Sequence, residues 1–154
     1  MAAANRSAAR LNAVQALYQM DVAGKGVSEV IAEFESHWIG QEIEGVSYNP
    51  AEVAFFKDIV SGMLEDQQAI DTHVDAALTE GWPLRRVETV VRAILRAGAY
   101  ELRKRRDVPA RAIISEYVDI AAAFYDRDES GLINAVLDSL ARDLRPGEFQ
   151  PKAG

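Results

Sequence analysis

The sequence contains no cysteine, which excludes disulfides, thiolate zinc sites and thiol nucleophiles. It has only two histidines, His37 and His73. These fall on separate expected helices with no motif linking them, so neither a metal pair nor a general base is read from them. Asp71, His73 and Asp75 are spaced two apart, which turns their side chains to different faces of a helix. No glycine-rich phosphate loop, nucleophile elbow or HExxH occurs. No stretch approaches the roughly 20 uninterrupted apolar residues of a membrane span, and the first residues lack the apolar centre of a signal peptide. The expectation is a cytoplasmic protein that is not an enzyme, with no catalytic residues, no metal and no cofactor.

What is present is a chain of 154 residues, 49% hydrophobic and 27% charged, enough for one domain with a substantial core. The net charge of -7 conceals a segregation. Residues 28–75 carry eleven acids against Lys57 alone, and residues 85–111 carry nine bases against Glu88, Glu101 and Asp107. A basic stretch on an acidic protein leaves an anionic partner open, because the local field decides what docks.

Hydrophobic periodicity reads as helix throughout. Leu11, Val14 and Tyr18 follow the spacing of one helix face, and Gly24 and Gly26 end that helix. A second helix runs from near Ser28 to about Trp38, followed by a loop over 39–49. Asn49 and Pro50 form a start signal, and the helix they open extends through Phe55, Ile59, Met63 and Ile70 to about Leu78. Pro83 opens a helix whose apolar face is Val87, Val90, Val91, Ile94, Leu95, Ala99 and Leu102. Pro109 opens another, with Ile113, Ile114, Tyr117, Ile120 and Ala121. Asp128 or Ser130 caps the last, which carries Leu132, Ile133, Val136, Leu137 and Leu140. The fold class is all-α, a compact bundle of about six or seven helices. It is read as one domain over 1–154, frayed at 1–5 and 146–154.

Two groups of bases stand out. Arg6 and Arg10 lie one turn apart in "NRSAARLNAVQALYQM", read as the start of a helix, where cations oppose the dipole. One reading is a solvated first turn; the other is a cationic edge that receives phosphates, its arginines replaceable without loss of fold. "RKRR" (103–106) is the densest basic run and is read as closing a helix, where cations complement the last carbonyls. Of Arg92 and Arg96, one is expected to be buried against a carboxylate. Tyr18, two turns beyond Arg10, can offer a ring to a base or a partner.

Four blocks, "RSAARLNAVQALYQMD", "FFKDIVSGM", "RAILRAGAYELRKRRDVPARAIISEYVDIAAAF" and "INAVLDSLARDLRP", together resemble the bacterial transcription antitermination factor family NusB. The similarity runs from about Arg6 to Pro146. It implies an all-helical, non-catalytic protein that binds the boxA element of nascent rRNA leader transcripts. The resemblance further implies partnership with NusE, a small-subunit ribosomal protein, and a place in the RNA polymerase antitermination complex, and leaves a homodimer open. By resemblance, Arg6 and Arg10 would meet RNA phosphates, and Tyr18 and Asp128 match positions tied to NusE and RNA function. Gly131 and Leu132 stand in the RNA-binding region where the family commonly has lysine and phenylalanine. The alternative is a helical protein-interaction module that depends on NusE or another partner for RNA contact.

Overall fold

The computed structural model describes residues 2–39, 50–78, 87–124 and 127–149. Within them are seven α-helices: α1 (Ala2–Ala23), α2 (Val27–Ile39), α3 (Pro50–Glu65), α4 (Gln67–Ala77), α5 (Thr89–Lys104), α6 (Ala110–Phe124) and α7 (Arg127–Leu144). A single 3₁₀ turn, Pro146–Glu148, follows. No strand occurs among the described residues, so the all-α expectation holds.

Helix α5 is the axis of the bundle and packs against α1, α3, α4, α6 and α7. Its sequence explains this. Val91, Ile94, Leu95 and Leu102 supply bulk, while Ala93, Ala97, Gly98 and Ala99 keep the other sides thin, and all are buried. A helix with so wide an apolar face packs inside along most of its circumference, leaving Arg92, Arg96 and Arg103 on a narrow outer stripe. Two glycines set close approaches to this axis. A Cβ on Gly98 would lie 2.9 Å from the Leu137 side chain, and one on Gly62 of α3 would overlap the Tyr100 ring. The core extends through Phe56, Ile59, Tyr117, Ile133 and Leu140, each essentially inaccessible. Such a side chain contributes roughly 1.5–3 kcal/mol when fully buried.

Several boundaries agree with the sequence. Gly24 takes a φ of 69° and its amide donates to Met20 O at 3.0 Å, the left-handed cap that closes a helix. Pro50 is the first residue of α3 and Pro109 immediately precedes α6; Asn49 lies outside the described residues.

Four boundaries differ. The helix read through 50–78 is broken at Asp66, whose φ of -108° and ψ of 12° leave the helix. Its carboxylate accepts from Arg103 at 3.1 and 3.2 Å, a pairing that local periodicity does not display. Val87 and Glu88 are not helical and α5 begins at Thr89; Pro83 lies outside the described residues. Helix α7 begins at Arg127, so Asp128 and Ser130 lie inside it rather than capping it.

The fourth difference is at the termini. Helix α1 begins at Ala2, and the segment after Leu144 is held down rather than frayed through Phe149. Arg145 is buried and donates to four carbonyls: Glu101 and Leu102 at 3.0 Å each, Arg105 at 2.8 Å and Val108 at 2.5 Å. Glu101 and Leu102 lie in the last turn of α5 and Arg105 is its C-cap, so the guanidinium adds donors where the helix runs short of its own. Glu148 accepts the Ala110 amide at 2.9 Å and thereby caps α6.

Candidate nucleic-acid interface

Charge segregation along the chain resolves into pairing across the bundle. Asp71 of α4 accepts from Arg96 at 2.8 and 2.9 Å, as expected for one member of the Arg92–Arg96 pair, and Arg92 reaches Asp21 at 2.7 Å. Asp66 takes Arg103 and lies 3.8 Å from Lys104. Asp58 accepts from Arg105 at 3.3 Å. The acidic α3–α4 region thus neutralises much of the basic stretch packed against it. The "RKRR" run closes α5, as read from sequence, with Arg103 and Lys104 in its last turn, while Arg106 donates to Leu144 O of α7 at 3.3 Å. His73 is half-buried and lies 2.6 Å from Asp143; the His37 side chain lies outside the described residues.

The two N-terminal arginines separate into different roles. Because α1 starts at Ala2, both lie beyond its first turn and the dipole argument does not apply to them. Arg10 is 3% exposed. Its Nε and Nη2 donate to Glu101 at 2.7 and 3.0 Å, while Tyr117 donates its hydroxyl to the same carboxylate at 2.5 Å. Burial alone would lower the Arg10 pKa, but the hydrogen bond to Glu101 and its charge outweigh that and raise it. Burial, reinforced by Glu101, holds the Tyr117 phenol well above its usual range. Arg10 is therefore held in a core ion pair, whereas the reading from sequence set it beside Arg6 on a cationic edge that meets phosphates.

Arg6, one turn earlier, reaches the surface. Its side chain retains 36% exposure and sits 3.6 Å from Asp107. Arg105 is 3.1 Å from the same carboxylate. Both guanidiniums lie over Phe55, at 4.8 and 4.9 Å from the ring centroid, and Arg10 adds a third at 5.1 Å. The ring's negative face attracts each cation, so one buried phenyl of α3 fixes the edge where α1 meets the α5–α6 connection. Desolvation works to raise the Asp107 pKa, but Arg105, a backbone hydrogen bond and Arg6 together hold it below the usual carboxylate range. Lys104 is 53% exposed beside this edge in sequence, and Arg106 is exposed.

The remaining residues singled out from sequence lie elsewhere. Tyr18 is partly exposed on α1, with exposed Val22 one turn on; twelve residues of helix separate it from Arg6 by about 18 Å. Gly131 and Leu132 are on α7. Gly131 is exposed and a Cβ there meets nothing within 4 Å, whereas Leu132 packs against the core. Asp128 is helical, and its side chain lies outside the described residues. Sequence reasoning missed Phe55, read only as part of a helix's apolar face, and Asp107, counted only as an acid within the basic stretch. The signal for both was their chemistry beside arginine, but their proximity to Arg6 comes from tertiary packing.

Comparison with known proteins adds the following. The family model described as the NusB family matches residues 7–142. A protein of Bradyrhizobium sp. strain BTAi1 named transcription antitermination protein NusB is 63% identical over 147 residues, covering 96% of this chain and 87% of the relative. A protein of the same name from Rhodopseudomonas palustris strain HaA2 is 60% identical over 144 residues, covering 94% and 85%. Among solved structures, T. maritima NusB superposes with a TM-score of 0.79 at 24% identity, covering 94% of this chain and 96% of that one. A chain from a complex of antitermination factors NusB and NusE with dsRNA superposes with a TM-score of 0.76 at 23% identity, covering 90% and 97%. At these identities the structural matches speak to fold.

Proposed function

This chain belongs to the NusB family, and from that premise we propose that it is an RNA-binding transcription antitermination factor. It binds the boxA element of nascent rRNA leader transcripts together with NusE, suppresses premature termination by RNA polymerase and supports rRNA synthesis. The observation that carries this reading is the 63% identity, over 96% of the chain, to a protein named for antitermination. The work is done by binding in the cytoplasm and not by catalysis. No helix among the described residues is long and apolar enough to cross a membrane.

In this reading Arg6 supplies a phosphate contact at the Phe55 edge. Tyr18, with the exposed Val22 beside it, offers NusE an amphipathic ring. Asp128 and Gly131 stand at the α7 start as secondary contacts. Leu132 contributes little, since its apolar side chain packs against the core.

A second reading, a module that relies on NusE for RNA contact, draws on one observation. Arg10 is occupied by Glu101 and Arg6 by Asp107, which lowers the charge free to meet RNA. Titrating boxA RNA with and without NusE separates the two. Direct binding that NusE tightens about 5–150-fold, with RNA tightening NusE by the same factor, supports the first reading. Binding only in the presence of NusE supports the second, and no binding in either case removes both.

A further inference from the structure

Asp107 is an unusual neighbour for a phosphate site. It is exposed on the α5–α6 connection, yet it stands between the two guanidiniums that face solvent at this edge, 3.6 Å from Arg6 and 3.1 Å from Arg105. Phe55 also contacts both cations, at 4.8 and 4.9 Å from the ring centroid, so the ring gives the two guanidiniums a common anchor besides the carboxylate. The Arg105 guanidinium also reaches Asp58 at 3.3 Å, but its Nε is buried without a hydrogen-bond partner among the described residues. Its present partners do not satisfy it fully.

A carboxylate and a phosphodiester present similar pairs of anionic oxygens to guanidinium. We propose that Arg6 and Arg105 form a two-arginine clamp for one backbone phosphate of single-stranded RNA, and that Asp107 occupies the clamp in the free protein and is displaced by that phosphate. The inference rests on the RNA-binding reading above and adds to it a second ligand, Arg105, and an internal competitor. Displacement is feasible because the Asp107 side chain is 54% exposed and exposed ion pairs are individually weak.

The test compares the full chain with Asp107→Asn, titrated with a labelled boxA-containing single-stranded RNA at several salt concentrations. Asparagine keeps the size of the side chain, and Asp107→Ser provides a second neutral variant should the turn tolerate the first poorly. Glu29→Gln, at an exposed position of α2 beyond the far end of α1, removes the same charge at a distance. The expected result is RNA binding about threefold to tenfold tighter in Asp107→Asn. That gain fades at high salt, is absent in Glu29→Gln, and is lost when Arg105→Gln is added. Unchanged or weaker binding in both neutral variants overturns the clamp while leaving the RNA-binding reading in place. A gain equal to that of Glu29→Gln also overturns it, as a bulk charge effect. Failure of every form to bind RNA, with or without NusE, overturns the RNA-binding reading and the clamp with it.

Discussion

Arg10 of α1 and Glu101 of α5 form a bidentate ion pair in the core across 91 residues of chain. The pair joins the terminal helix to the axis of the bundle, and Tyr117 of α6 closes it by donating to the same carboxylate. Removing one partner of such a pair leaves an uncompensated buried charge, a loss of about 3–5 kcal/mol. Arg10→Met is therefore expected to lower stability by that amount in urea or thermal unfolding. Adding Glu101→Leu should recover part of it, and Tyr117→Phe the remainder, because the phenol would otherwise lose its acceptor. Unaltered stability in Arg10→Met would show that the pair contributes nothing.

Two glycines provide a contrast of opposite sign. A Cβ at Gly62 collides with the Tyr100 ring, which Asp58 holds by a 2.8 Å hydrogen bond. Gly62→Ala should cost about 1–3 kcal/mol. Gly131 lies within α7 and faces open space, so Gly131→Ala should stabilise by up to about 1 kcal/mol. Thermal melts of the two variants decide the matter; equal effects would mean that the α3–α5 approach is not constrained.

The tail beyond α7 carries an acid-sensitive cap. Hydrogen bonding from the Ala110 amide, with Arg145 assisting, holds the Glu148 carboxyl below its ordinary value of 4.5. A depressed carboxylate pKa contributes stability that is present above the unfolded value and lost as pH falls through the folded one. Glu148→Gln should therefore be less stable than the parent at neutral pH, with the difference shrinking below about pH 4.5. Melts across that range check it, and a gap that widens in acid would contradict the cap.

The helices were legible because α1, α5, α6 and α7 carry their apolar residues at the 3.6-residue period, which depends only on local sequence. Gly24 and the prolines at 50 and 109 marked ends for the same reason. Asp66 and Arg10 were not legible. The helix break at Asp66 coincides with a carboxylate engaged by Arg103, and Arg10 is buried because Glu101 awaits it. Both depend on which helices become neighbours, information that periodicity does not contain. The pairing of the acidic with the basic stretch was not legible either, since opposite charges distant in sequence meet only when α3 and α4 pack on α5. At the candidate interface the arginines were visible in sequence, but the ring and the carboxylate that organise them were not.

The division of labour between the two N-terminal arginines is tested most directly by the salt dependence of RNA binding. Log Kd for boxA-containing single-stranded RNA should be measured against log salt for the parent chain and for Arg6→Gln, with folding verified by circular dichroism. If Arg6 meets a phosphate, the slope should fall in magnitude by about 0.7, and the melting temperature should change little because Arg6 is partly exposed. An unchanged slope, with affinity intact, would contradict the account and leave Arg6 as no more than a surface partner of Asp107.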